Sequence, residues 1–209
     1  MTVLVLASQS PARLATLRGA GVEPVVIVSG VDESQLDGLP PAELALQLAE
    51  LKCAAVVAGD GVPAGALVLG CDSVLDLDGE ALGKPDDADD AVRRWQAMRG
   101  RSGVLLTGHC VHDTATGHVA SATAATTVHF AEVTDEEIEA YVASGEPLHV
   151  AGAFTLDGLG GAFVTGIEGD PHNVVGVSLP LLRELVAELG GSWTDLWSCL
   201  LYTSDAADE

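Results

Sequence analysis

The sequence predicts an α/β fold, because short apolar runs typical of strands alternate with amphipathic stretches typical of helices along most of the chain. The chain has 209 residues, of which 48% are hydrophobic, and this is enough to bury a core in one domain or in one domain of two lobes. No apolar run approaches the roughly 20 residues that span a bilayer. We therefore expect a single α/β domain and no membrane partner.

The individual elements follow from composition and periodicity. Apolar, β-branched runs predict strands over residues 3–7, 24–30, 66–75, 103–113, 119–133 and 162–169. Amphipathic stretches predict helices over residues 11–19, 41–58, 87–99, 134–144 and 178–189. The fourth and fifth strands are predicted to pair as a hairpin that turns on TATG, and residues 76–85 are predicted to form a hairpin or a loop.

The end of the chain differs from the rest in composition. Gly190 and Gly191 are predicted to stop the last helix. Two of the three tryptophans and one of the two tyrosines follow them. We expect a single domain over residues 1–191 and a tail over residues 192–209 that lies outside it, whose last residues, LLYTSDAADE, resemble a translated cloning sequence.

Charge and cysteine usage restrict the class of protein. A formal net charge of -22 argues against a nucleic-acid-binding surface, which needs clustered Lys and Arg. It does not exclude one small anionic ligand, and the two lysines, Lys52 and Lys84, are therefore of interest. The four cysteines are scattered without a C-x-x-C pair, as expected of free thiols in a reducing compartment. We expect a cytoplasmic protein.

The stretch LASQSPARLATL predicts an anion-binding junction between a strand and a helix. Ser10 is a favoured N-cap, Pro11 falls at the first helical position, and Arg13 then lies in the first turn. A cation is unfavourable beside the positive end of a helix dipole unless an anion lies nearby. The junction therefore suits a phosphate group, and we assign substrate binding to Ser10 and Arg13. The alternative is an ordinary capped helix whose Arg13 is solvated.

Two further stretches place carboxylates and a cation after apolar runs. Asp72 in GCDSV is predicted to lie at the end of a central strand, where α/β sheets bind ligands, and Lys84 follows in a loop. Glu33 in VDES follows another predicted strand. A carboxylate can hold a divalent ion or accept a proton from water, and an ammonium group can neutralise phosphate oxygens. Each feature alone is commonplace, so its weight comes from the combination.

Lys52 lies at the border of the apolar face of the second predicted helix. Border lysines often only extend along the apolar surface to reach water. The alternative is that the ammonium group lies at one end of a ligand-binding cleft.

Several motifs together resemble one family. LVLASQSPAR, VDES, GCDSVL, LGKP, YVASGEPLHVAGAF and GDPHNVVGVSLP occur in the order and spacing of the Maf family, nucleoside triphosphate pyrophosphatases also called septum formation inhibitors. The resemblance covers about residues 3–190. It implies a mixed sheet flanked by helices, with two lobes around a central cleft, as in the Maf and inosine triphosphatase folds. It also implies hydrolysis of a nucleoside triphosphate to the monophosphate and pyrophosphate, with Mg²⁺ or Mn²⁺ as cofactor.

The same resemblance implies roles for individual residues. Asp72 matches the family's proton acceptor, and Arg13, Lys52 and Lys84 match its phosphate-binding cations. Ser8 lies in its phosphate loop, and Glu33 matches its first acidic position, so that Glu33 and Asp72 are the expected metal ligands. Whether Asp72 acts as the base or chiefly as a metal ligand is open, and so is association into a homodimer.

Three positions depart from the family pattern. Ala12 stands where many relatives have a second arginine, and Val150 and Asp157 stand where relatives that prefer dTTP and UTP have lysine and glutamine. Asp157 is thus a substrate-binding position that leaves the preferred base open. Two rival functions are a nucleotide-binding regulator of cell division without turnover and a phosphatase that releases orthophosphate.

Overall fold

A mixed seven-stranded sheet forms the centre of the protein, in the order β2-β1-β3-β5-β6-β7, with β4 paired to β3. We describe it from a computed structural model, in which residues 2–32, 36 and 38–198 are described. The strands are β1 Leu4–Leu6, β2 Val25–Val26, β3 Leu67–Leu77, β4 Glu80–Leu82, β5 Ser102–Asp113, β6 Val119–Phe130 and β7 Val164–Glu168. β1 pairs in parallel with β2 and β3, and the remaining pairs are antiparallel.

Six α-helices flank this sheet in the described part of the chain. They are α1 Pro11–Gly19, α2 Pro41–Ala58, α3 Ala88–Met98, α4 Asp135–Ala143, α5 Pro171–Val175 and α6 Leu179–Glu188. Short 3₁₀ turns cover Glu146–His149, Ala151–Ala153, Leu159–Phe163 and Trp193–Leu196. None of the helices in residues 2–32, 36 and 38–198 combines the length and apolar character needed to cross a membrane. The predicted mixed α/β fold is confirmed.

The two ends of β3 pack into different apolar cores. The first half of β3, with Leu67 and Leu69, packs against α1 and α6, whereas Leu75 and Leu77 at its far end pack around Trp95. Trp95 is fully buried, and its indole N–H donates to Ala153 O at 2.7 Å. The middle of β3 therefore passes from one core to the other, which is the two-lobed arrangement expected.

The sheet is incomplete along one edge of β3, which leaves a gap there. β1 pairs with β3 only at residues 67–69, and β4 pairs with it only at residues 75–77. On the opposite side, β5 pairs with β3 continuously over residues 67–76. Among the described residues, residues 70–74 of β3 thus have a strand on one side only. Asp72 and Ser73 lie in this gap.

The packing of α2 on the sheet depends on two glycines. A Cβ atom at Gly70 would overlap the carbonyl oxygen of Ala49, and one at Gly108 would overlap that of Ala45. Because these side chains are absent, the helix backbone lies directly on β3 and β5. This close approach brings Lys52 of α2 to the gap in the sheet.

Several boundaries differ from those predicted. Asp72 was predicted to end a strand, but β3 continues to Leu77 because antiparallel pairing with β5 and β4 extends it. Of the predicted strand 24–30, only Val25–Val26 pair, because β1, their neighbour, is itself short. The helix α5 was not predicted, whereas the predicted hairpin within residues 76–85 is present as β3 and β4.

The segment after Gly191 packs on the domain as far as it is described. Leu196 is buried in the core beside α6, Trp197 forms a bridge to Val22, and Ser198 N donates to Gly21 O at 2.8 Å. This differs from the expectation that the tail begins at residue 192. Residues 199–209, including Cys199, lie outside the described residues, and for them the expectation stays a prediction.

Candidate active site

The predicted cap at the start of α1 is confirmed. Ser10 is the N-cap, and its hydroxyl accepts from Arg13 N at 3.4 Å, with Pro11 at the first helical position. Ser8 Oγ in turn accepts from Ser10 N at 3.1 Å. The two serines therefore order the loop between β1 and α1, and the first turn of the helix is directed at the end of β1.

Arg13 is buried and hydrogen-bonded, so the alternative of a solvated side chain is wrong. Only 9% of its surface is exposed. Its Nε donates to Gly176 O at 2.8 Å, Nη1 donates to Ser8 Oγ at 3.1 Å and Nη2 donates to Ser73 Oγ at 3.0 Å. A guanidinium group has five N–H donors. The two that these bonds leave over can donate to an anion at the gap.

A chain of hydroxyl groups continues from Arg13 into the sheet. Ser73 Oγ lies 2.9 Å from Thr107 Oγ1, and Thr107 Oγ1 donates to Asn173 O at 3.3 Å. Because Thr107 donates onward, Ser73 donates to Thr107 and accepts from Arg13. Ser73, Thr107, Asn173 and Gly176 were not identified as site residues from the sequence. The available signals were that Ser73 follows Asp72 and that Asn173 and Gly176 lie in GDPHNVVG.

Lys52 and Asp72 form an ion pair at the gap. Lys52 Nζ lies 2.5 Å from Asp72 Oδ1, and each side chain is only 12% exposed. The ammonium group of Lys52 is therefore held at this gap instead of extending into water, and its part in binding a ligand stays a prediction. Successive residues of a strand face opposite sides of the sheet, so Asp72 meets Lys52 of α2 while Ser73 meets Arg13 on the other side. The two cations thus approach the same gap from opposite faces.

The second lobe is the part of the protein built around Trp95, and the first is the part that contains β1, α1 and α6. Lys84 and Asp157 belong to the second lobe. Both are exposed, and within the described residues neither is joined to Arg13 or Asp72 by a hydrogen bond or an ion pair. The loop that carries Lys84 is fixed through Gly83 O, which accepts from Arg94 Nη1 at 2.7 Å and from Gly152 N at 3.0 Å. Glu33, the other predicted metal ligand, lies outside the described residues.

A fully buried histidine lies two residues after Thr107 on β5. His109 lies on β5, with Nδ1 2.9 Å from Thr107 O and with Nε2 accepting from Ser178 N at 2.8 Å. Ser178 is the N-cap of α6. Burial lowers the pKa of His109 to about 4, so the imidazole is neutral at physiological pH. It links β5 to α6 as a structural group.

The donor set at the gap suits a hard divalent cation in part. Mg²⁺ is usually held by one or two carboxylates together with substrate phosphates and water. Asp72 supplies one such carboxylate beside the proposed phosphate-binding groups. No three His, Cys, Asp or Glu side chains of residues 2–32, 36 and 38–198 gather into a metal-binding group. Asp72 is thus the predicted metal ligand that the described residues place at the gap.

Comparison with known proteins places the chain in a family. A family model described as Maf-like protein matches residues 3–189. A protein of Streptomyces avermitilis named nucleoside triphosphate pyrophosphatase is 66% identical over 195 residues, which are 93% of this chain and 94% of that protein. A Salinispora tropica protein of the same name is 60% identical over 197 residues, or 93% of this chain and 87% of that protein. This chain therefore belongs to the Maf family.

Proposed function

We propose that this chain hydrolyses a nucleoside triphosphate to the nucleoside monophosphate and pyrophosphate. The observation that carries the proposal is the buried pair of Lys52 and Asp72 beside Arg13 at the gap in β3. A carboxylate held next to cations can act on a water molecule while the cations bind the phosphates. The name of the relatives that match most of the chain supports the same activity.

The phosphates are bound by groups from both lobes. Ser8, Ser10 and Arg13 present hydroxyl, backbone and guanidinium donors at the N-terminus of α1, which favours negative charge. Lys52 and Lys84 add positive charge, and Lys84 would reach the substrate from the second lobe. Their main effect is to stabilise the charge that develops on the phosphate oxygens and the leaving pyrophosphate.

Asp72 acts on the attacking water. The water oxygen forms a bond to the α-phosphorus while the bond from that phosphorus to the bridging oxygen breaks, and pyrophosphate leaves. Asp72 orients this water and accepts its proton, and Lys52 holds the carboxylate in place at 2.5 Å. An alternative role for Asp72 is that of a metal ligand first and a base second.

A divalent cation, Mg²⁺ or Mn²⁺, is the proposed cofactor. Asp72 and Glu33 would hold it, and when bound it would supply neutralisation of phosphate charge. Asp157 would contact the nucleoside, because it is exposed on the second lobe and departs from the glutamine of relatives that prefer dTTP and UTP. We further propose that the enzyme works in the cytoplasm, since Cys53, Cys71 and Cys110 are buried free thiols.

Product analysis tests this function. The purified chain is incubated with a panel of nucleoside triphosphates and Mn²⁺ or Mg²⁺, and pyrophosphate and orthophosphate are measured separately. We expect pyrophosphate and monophosphate in equal amounts. Release of orthophosphate would indicate a phosphatase instead, and binding without any product would indicate a regulator. The assay is repeated with Asp72→Asn. Asp60→Asn, at an exposed site in the loop after α2, is its matched control.

A further inference from the structure

The carboxylate of Glu146 is the centre of a hydrogen-bonded loop in the second lobe. It accepts from Tyr141 Oη at 3.0 Å, from Thr155 Oγ1 at 2.5 Å, and from Leu159 N and Gly160 N at 3.0 Å each. Partial burial opposes ionisation, but the hydrogen bonds outweigh it and hold the pKa of Glu146 below its usual value. The charged carboxylate therefore gathers residues 155–160 around itself.

The loop is shaped to fit this carboxylate. A Cβ atom at Gly158 would lie 2.6 Å from Glu146 Oε2, and one at Gly160 would overlap the hydroxyl of Tyr141. Glycine at both positions lets the loop backbone lie directly against these side chains. The fit indicates that the loop conformation depends on Glu146 and not merely on surface turns.

The same carboxylate connects the loop to the rigid core of the lobe. Tyr141 is buried and packs edge-on against Trp95 and Phe163, with ring centroids 5.5 Å and 5.4 Å apart. Its hydroxyl accepts from Thr155 N at 3.2 Å and donates to Glu146. The loop is thus fixed through two side chains to an aromatic cluster that cannot easily move.

Asp157 lies between the two fixed ends of this loop. Thr155 precedes it by two residues and Leu159 follows it by two, and both contact Glu146. Asp157 itself is exposed, so the carboxylate is available to a ligand. Glu146 therefore sets the position of the Asp157 carboxylate, although Glu146 itself is half-buried.

We infer that Glu146 is a positioning residue for nucleobase recognition, acting through Asp157. The inference rests on the proposed function, in which Asp157 contacts the nucleoside. Loss of the Glu146 contacts would free residues 155–160 and reduce the selectivity between nucleobases. The phosphate-binding and proton-accepting groups of the first lobe would keep their geometry. Affinity and selectivity should then change more than the rate of the chemical step.

The test is Glu146→Gln. The side-chain amide has only one acceptor oxygen, so its N–H₂ group faces a backbone N–H that donates to the carboxylate in the wild type. We expect KM for the preferred nucleotide to rise roughly five- to tenfold, the scale of one ordinary hydrogen bond. We expect kcat to stay within about twofold. The ratio of kcat/KM between the preferred and the least preferred nucleotide should fall by a similar factor. Glu139→Gln, an exposed carboxylate on α4, is the matched control and should behave as the wild type.

Tyr141→Phe is the second variant, because it removes one hydroxyl from the same cluster and keeps the aromatic packing. It should shift selectivity in the same direction by a smaller factor. An unchanged ratio and KM in Glu146→Gln, or a loss confined to kcat, would overturn the inference. If Glu146→Gln fails to fold, unchanged selectivity in Tyr141→Phe would do so. A wild-type protein without pyrophosphate release would instead refute the function on which the inference rests.

Discussion

Replacing Arg13 by glutamine tests whether this buried cation serves the ligand, the fold or both. The substitution removes the donors to Gly176 O, Ser8 Oγ and Ser73 Oγ. At about 0.5 to 1.5 kcal/mol for each bond, the loss is roughly 1.5 to 4.5 kcal/mol. Removing a cation from the helix N-terminus raises the stability by about 0.3 to 1 kcal/mol. We therefore expect the free energy of unfolding of the ligand-free protein to fall by about 0.5 to 4 kcal/mol.

Arg13→Gln should also lower kcat/KM by about 100-fold or more, the scale of losing a positioned charge that stabilises the transition state. Arg13→Lys should recover only part of this, because an ammonium group lacks the planar fork of donors. Denaturant unfolding without ligand and steady-state kinetics measure the two effects, with Arg93→Gln, at an exposed position of α3, as the control. An unchanged or raised stability together with unchanged kinetics would refute the assigned contacts.

Three other predictions follow from the structure. Asp72→Asn should lower turnover at least about 100-fold in a folded protein, and a near-normal rate would remove Asp72 from the mechanism. The pKa of His109 is lowered from 6.5 to about 4, so the unfolded chain takes up the proton first as the pH falls. Stability should fall by roughly 3 kcal/mol between pH 6.5 and pH 4, and His109→Gln should remove that part of the pH dependence in unfolding experiments. Deleting residues 200–209 should change neither Tm nor activity, whereas deleting residues 192–209 should lower Tm because Leu196 and its neighbours leave the core.

The features predicted correctly from the sequence are those that depend on neighbouring residues. Ser10, Pro11 and Arg13 identify the start of α1 because an N-cap and its first turn span only four residues. Lys52, by contrast, was expected at the border of the apolar face of α2, but it lies among the buried residues of that helix, which are Pro41, Ala45, Leu48, Ala49, Cys53 and Val56. The mixed sheet was expected from the family resemblance, since alternation of apolar runs does not determine which strands are parallel.

The residues that sequence reasoning missed are those brought together by pairing between distant segments. Ser73 meets Thr107 only because β3 and β5 pair in one particular register. Gly176 meets Arg13 only because the five-residue helix α5 ends there, and a helix this short has no periodicity to reveal it. The contacts of Glu146 with residues 155–160 depend on loop geometry, which composition does not encode.

The location of the cleft follows from where two neighbouring elements stop. β1 ends at Leu6 because the polar loop and Pro11 begin a helix, so its pairing with β3 ends at Leu69. Pairing resumes at Leu75, because Asp78 and Gly79 both have positive φ and turn the chain back as β4. The five residues between these limits span roughly 17 Å at the rise of a strand, which is long enough for a nucleoside triphosphate. Local signals at Pro11 and Gly79 therefore set the width of the site at whose centre Asp72 lies.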